Sequence, residues 1–163
     1  MAKYVIDTNV PIVANGNEKN VSVDCRIAAV ETLRNALSKG KIFMDSSGAI
    51  QEEYRRYLNP RGQPGVGDMF YREVINSHPD RVVRVNLEMR ADGEYEDLPQ
   101  AIIDSNFDPS DRKFAAVAIK ANAKVYNAVD TDWLEKRQII EANGIKIVFV
   151  CGCDAKKWFE VQT

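Results

Sequence analysis

The stretch Tyr4-Val5-Ile6-Asp7-Thr8-Asn9 ends an apolar strand on an aspartate, and Val125-Tyr126-Asn127-Ala128-Val129-Asp130-Thr131-Asp132 repeats the device near the other end of the chain. In open parallel sheets the carboxyl ends of strands are where ligand sites are built. Carboxylates gathered there repel one another and keep their protons unless a cation lies between them. A divalent metal is the simplest reason for the pattern.

Outward from these strand ends, hydrophobic spacing predicts the remaining elements. A first strand over residues 3–7 is followed by a helix over 23–38, where Ile27, Val30, Leu33 and Leu37 recur at helical intervals. Ser22 is placed to cap that helix and Gly40 to end it. Ile42-Phe43-Met44 reads as a second strand. The next helix carries Ile50, Tyr54, Tyr57 and Leu58, and stops before Asn59-Pro60 because a residue preceding proline is disfavoured in helical conformation. Residues 61–68 are rich in turn formers and predict an exposed loop. They are followed by a helix over 69–77, a strand or extended connection over 82–85, an acidic loop over 92–97 and a short helix near 99–104.

The last third predicts a helix over 110–123, a strand over 124–127, a helix over 132–143 and a strand over 145–150, with Gly144 as a left-handed terminator. Repeated strand-helix-strand units imply right-handed crossovers, a parallel sheet and helices on both faces. The expectation is an α/β fold, three-layer α/β/α, with a central mainly parallel sheet of about five strands. It forms one domain over 1–163, with an elaborated segment over 59–106.

Composition narrows the function classes. With 163 residues, 45% apolar and 28% charged, the chain has material for one ordinary core. No run approaches the roughly 20 apolar residues of a membrane helix, and Met1-Ala2-Lys3 leads straight into a strand, so a cytoplasmic protein without membrane contact is expected. Cys25, Cys151 and Cys153 are an odd number without metal-ligand pairing, and reduced thiols are the expected state. A net charge of -2 excludes a uniformly basic nucleic-acid binder. Locally, though, seven arginines lie between Arg55 and Arg90 against Asp68, Glu73, Asp80 and Glu88. That asymmetry suits an acidic pocket with a basic rim.

Each acidic candidate also has an ordinary structural use. Asp7 could cap a turn starting at Asn9-Val10-Pro11, with Thr8 and Asn9 bonding local backbone or orienting Asp7. Glu53 alone would be one more solvated helix glutamate, but Ile50, Glu53, Tyr54 and Tyr57 share a face, and a carboxylate on an inward stripe needs a partner. In Asp108-Pro109-Ser110-Asp111-Arg112, Asp108 suits an N-cap, Pro109 the first helical position and Asp111 the first turn, a role compatible with metal ligation. Asp132-Trp133-Leu134-Glu135 looks like an aspartate form of the capping box, which leaves Asp130 without capping duty.

Taken in order, four segments resemble a PIN-domain nuclease over nearly the whole chain. They are Val5-Ile6-Asp7-Thr8-Asn9, Glu53 in Ile50-Gln51-Glu52-Glu53-Tyr54, Asp111 opening Asp-Arg-Lys-Phe-Ala-Ala-Val-Ala, and Asn127-Ala128-Val129-Asp130-Thr131-Asp132-Trp133. The resemblance implies a compact α/β/α domain that binds Mg2+ or Mn2+ and hydrolyses RNA phosphodiester bonds. By that resemblance Asp7, Glu53, Asp111 and Asp130 match the family's acidic quartet, catalytic and metal-binding, with Asp132 as an additional acidic position. Thr8 and Asn9 would stand behind them, and Arg55, Arg56 and Arg112 would contact substrate phosphates. Many small bacterial relatives are toxins held by an antitoxin protein, and many are homodimers. The implied partners are therefore RNA, an antitoxin and a second copy of the chain. The segment 59–106 is longer here than in minimal members, and the loop after the fourth strand carries two aspartates.

The chemistry fits hard oxygen ligands, since phosphodiester hydrolysis needs a nucleophilic hydroxide at neutral pH and a sink for developing charge. His78, the only histidine, sits in a turn without a relay partner, which argues against a metal-free, histidine-dependent ribonuclease. Cys151-Gly152-Cys153 lacks the further ligands of a zinc site, and Trp133 and Trp158 are expected in the core rather than stacked on bases. The competing expectation is a catalytically weak or inactive module that keeps the fold and binds RNA or protein. A phosphoacceptor receiver is disfavoured because Asp7 lacks an adjacent acidic partner. A haloacid dehalogenase pattern fails at Asn9, where its second aspartate would stand.

Overall fold

Val5 and Ile6 are both fully buried, as a strand covered on two faces requires, and β1 (Ala2–Ile6) accordingly takes the centre of the sheet. A computed structural model describes residues 1–160. Its sheet has five strands, all parallel, in the order β3-β2-β1-β4-β5, with β2 at Gly40–Asp45, β3 at Val82–Val85, β4 at Lys124–Asn127 and β5 at Ile147–Phe149. The helices are α1 (Asn9–Asn15), α2 (Val23–Lys39), α3 (Ala49–Tyr57), α4 (Val66–Asn76), α5 (Gln100–Asp104), α6 (Arg112–Ala121), α7 (Thr131–Glu135) and α8 (Arg137–Ala142). α1 packs on α2 and α4, α6 crosses β1, β2 and β4, and α5 meets α8, which gives the three-layer α/β/α arrangement.

The winding reverses at β1, which pairs with β2 on one side and β4 on the other. Chain segments leaving β1 and β4 therefore diverge to opposite faces and open a crevice at their carboxyl ends. The ladder continues one step past β1, where the Asp7 N–H donates to the Tyr126 carbonyl at 3.1 Å, so Asp7 is held in register with β4.

Several elements differ from their sequence expectation. The segment Asn9-Val10-Pro11-Ile12-Val13-Ala14-Asn15 is a helix rather than a turn, with Val10, Pro11, Val13 and Ala14 buried and Gly16 ending it at a φ of 78°. Its β-branched composition gives little helical signal, and packing against α2 and α4 makes the helix. In α2 the buried stripe is Cys25, Ala29, Leu33 and Ala36, whereas Ile27 is exposed. α4 starts three residues before the expected Met69, because the Asp68 carboxylate accepts the Gly65 N–H at 2.9 Å and tethers Asn59 N–H and Asn15 besides. The predicted helix over 132–143 breaks at Lys136, whose ψ of 5° turns α8 away from α7. The expectation of three reduced thiols is corrected: Cys25, in the first turn of α2, is disulfide-bonded to Cys151 just past β5, leaving Cys153 free and exposed. A sequence separation of 126 residues hid that pair, whose Cα atoms lie 4.7 Å apart. Among the described residues no helix is long and apolar enough to cross a membrane.

Asp45 shows how the fold accommodates a buried charge away from the crevice. Burial pushes its carboxyl up, yet hydrogen bonds from the Ser47 hydroxyl and the Ile50 and Ala49 N–H groups hold it below the usual carboxylate range. It thereby ties the end of β2 to the first turn of α3.

Two glycines are required by close approach rather than by φ. A Cβ on Gly40 would lie 2.3 Å from the Tyr4 ring, and one on Gly67 would lie 2.0 Å from the Pro11 carbonyl oxygen where α4 crosses α1. Gly67→Ala thus inverts the ordinary effect of adding alanine to a helix, a gain of about 0.5–1 kcal/mol. A loss of about 1–3 kcal/mol is expected, read as a lower urea midpoint at unchanged slope.

Candidate metal centre

Asp7 lies just past β1, Asp111 ends the 3-10 turn Pro109–Asp111 that leads into α6, and Asp130 caps α7 beyond β4. Three elements that meet only at the crevice thus each deliver one carboxylate. One oxygen from each lies within 4.8 Å of the others.

Asp7 is fixed on both of its oxygens. Oδ1 accepts the Asn9 side-chain amide at 2.8 Å and the Asn9 N–H at 3.2 Å, while Oδ2 accepts the indole N–H of Trp133 at 2.7 Å. Trp133 is wholly buried and packs edge-on against Phe107. Asn9 also braces the two loops: its amide donates to Asn127 Oδ1 at 2.8 Å, and its Oδ1 accepts Ala128 N–H at 2.7 Å and Val129 N–H at 3.2 Å. Asn127 exchanges bonds with the Asp130 backbone in turn. Thr8 gives its hydroxyl proton to Glu53.

Burial and mutual repulsion hold protons on this group. Burial, then the Asp130 charge, pushes Asp7 up to about 7 against the hydrogen bonds from Asn9 and Trp133. Burial, then the charges of Asp7 and Asp130, pushes Asp111 up to about 10, and burial raises Asp130 as well. Asp111 is 6% exposed, and its Oδ2 has no hydrogen-bond partner among the described residues. Such an atom costs about 1–3 kcal/mol unless something satisfies it. A hard divalent cation suits it: the donors are all carboxylate oxygens, with no histidine or thiolate among them, and such sets favour Mg2+ or Mn2+ over zinc.

The structure differs from the sequence expectation at four of the candidate positions. Glu53 is not in the trio: its carboxylate accepts from Lys113 Nζ at 2.8 Å and from Thr8, so it stands beside the centre as half of a largely buried ion pair. The capping roles of Asp130 and Asp132 are exchanged. Asp130 Oδ1 accepts the Asp132 N–H at 2.9 Å and caps α7, whereas Asp132 Oδ2 accepts the Asp108 N–H at 2.8 Å. Asp132 forms a second acidic group with Asp108 and Asp111, and Asp108 is already occupied by Ser110. Arg112 turns inward to Glu94 at 2.7 Å and the Phe107 carbonyl at 2.9 Å, away from any substrate, while Arg55 and Arg56 remain exposed on α3.

Sequence reasoning missed Asn127, Trp133 as a donor, Lys113 and Asp45. Asn127 alone carried a usable signal, since it ends an apolar strand as Asp7 does. Lys113 is indistinguishable in sequence from a solvated helix lysine, and its pairing with Glu53 bridges 60 residues.

In the metal-free protein the unfolded chain releases the Asp7 proton near the ordinary carboxylate value of 3.8, while the fold retains it to about 7. Stability is therefore fully present below about pH 3.8 and is lost as the pH rises towards 7, with Asp111 extending the loss upward. Urea titrations in chelator should show this fall. At pH 8 Asp111 must regain a proton on folding, which an amide need not, so Asp111→Asn should stabilise the metal-free protein there, by about 2–4 °C of Tm per kcal/mol relieved. Asp7→Asn should instead destabilise by about 1–3 kcal/mol, because both Asp7 oxygens accept N–H groups that an amide cannot both serve. Comparisons of the chain with protein-family models, with curated proteins and with solved structures find no match.

Proposed function

We propose that this protein is a divalent-metal-dependent nuclease of the PIN type that hydrolyses RNA phosphodiester bonds. The observation that carries the reading is the trio Asp7, Asp111 and Asp130 at a topological switch point, in which Asp111 has a buried oxygen without a hydrogen-bond partner among the described residues. The ordered sequence resemblance supports the choice of reaction. An antitoxin partner, a homodimer and a cytoplasmic site of action belong to the same proposal.

Asp7, Asp111 and Asp130 would hold a Mg2+ or Mn2+ ion through hard oxygens, and the ion when bound would activate water at neutral pH and offset the charge that develops in phosphodiester hydrolysis. Asn9 and Trp133 keep Asp7 from rotating, so the donor set stays preorganised. Lys113, beside Ser110 and Glu53 at the start of α6, brings a fixed positive charge to the rim for a substrate phosphate oxygen. Glu53, released from Lys113 as phosphate takes its place, is positioned to accept a proton from the attacking water.

Incubation of the full chain with single-stranded RNA and Mn2+ tests the reading, with chelator and Asp111→Asn as controls. Cleavage should be abolished in both controls, and Asn9→Ala should lower it roughly 10- to 100-fold as the orientation of Asp7 is lost. Equal cleavage by the wild type and Asp111→Asn overturns the assignment.

A further inference from the structure

One helical turn beyond Glu53, α3 runs into a cavity of about 640 Å3 lined by Arg55, Arg56, Arg61, Tyr57, Tyr71 and Ile75 among others. No carboxylate lines it among the described residues. Arg55 pairs with Glu52 at 2.5 Å, whereas Arg56 and Arg61 have no ion-pair partner among the described residues. Tyr57 is 56% exposed, unusual for a ring of this size on a helix whose other tyrosine, Tyr54, is buried.

Three arginines and the exposed Tyr57 in one lining, with Ile75 and Tyr71, provide two kinds of contact at once. Arginine forks bind phosphate oxygens in pairs, and an aromatic face accepts a stacked base of any identity. The cavity is half open and lies within the size range of small-ligand pockets, so it can seat one nucleotide of a strand that continues past it. Its position adds direction. Glu53, Arg56 and Tyr57 stand at i, i+3 and i+4 and so share one face of α3. Arg56 and Tyr57 thus stand one helical pitch, about 5.4 Å, along α3 from Glu53, the residue beside the acidic centre.

Resting on the nuclease reading, we infer that this cavity is a subsite for single-stranded RNA, taking a nucleotide adjacent to the scissile phosphate by stacking its base on Tyr57 and its phosphate on Arg56 and Arg61. Tyrosine and arginine also populate protein interfaces. Continuity with Glu53 along one helix face, and a lining free of carboxylates, favour the polynucleotide.

Fluorescence anisotropy of a short labelled single-stranded RNA, measured with the full chain in chelator so that no cleavage occurs, tests the subsite. Arg56→Ala combined with Arg61→Ala should weaken binding at least about tenfold, and should reduce the slope of log affinity against log salt by about 0.7, for the one phosphate that is no longer neutralised. Tyr57→Ala should cost roughly five- to a hundredfold, while Tyr57→Phe retains affinity. These side chains are exposed, and unchanged thermal melts will confirm that the variants fold. Variants that bind as the wild type does overturn the inference, as does a wild type that fails to bind RNA or binds a poly-glutamate peptide equally well. Cleavage with Mn2+ is measured separately. Pocket-dependent binding without any cleavage keeps the subsite and removes the nuclease reading; cleavage with unaltered binding in the variants does the reverse.

Discussion

Three carboxylates with oxygens within 4.8 Å of one another are the constraint around which this molecule is arranged. Like charges so placed and so buried raise one another's proton affinity, and no local sequence choice would gather them. What gathers them is the parallel pairing of β1 with β4, carried one residue past the strand by the hydrogen bond from Asp7 to Tyr126. The fully buried residues of the two strands, Val5, Ile6 and Val125, supply the apolar burial that offsets the repulsion.

Around the trio the polar groups form a brace rather than a loose shell. Asn9 spans from Asp7 to Asn127 and to two backbone amides of the β4–α7 loop, and Trp133 closes on Asp7 from α7. With each of these groups bonded, the geometry of Asp7 is set before any ligand arrives, which is what a coordinating or catalytic group needs. Asp111 is the exception, with one oxygen left open. The Glu53–Lys113 pair adds a neutral, largely buried neighbour.

Legibility in the sequence followed the range of the interaction. Residues 124–127 read correctly as a strand because both their apolar run and their punctuation are local, and Ser22 caps α2 as expected because an N-cap bond spans only three residues. α1 did not read as a helix, since seven residues rich in valine and isoleucine with a proline among them become helical only when packed between α2 and α4. The α2 stripe matched expectation at Leu33 but not at Ile27, because alanines and a cysteine, small residues with weak periodic signal, form much of its buried face while Ile27 faces out. Arg112 looked like a substrate contact only because Glu94, its ion-pair partner, lies in a loop 18 residues away.

The sequence by itself determined the order of the strands and of the helices other than α1 and the α7–α8 break, the parallel class of the sheet, and which aspartates stand at strand ends or helix starts. These follow from periodicity, capping and turn chemistry, all local in the chain. Only the tertiary structure decided which carboxylates share a site. Glu53 was drawn off by Lys113 across 60 residues, the capping bond passed to Asp130 rather than Asp132, and Cys25 met Cys151 across 126. Each of those outcomes is a competition between partners brought together by strand order, and that order fixes distances that neither spacing nor composition records.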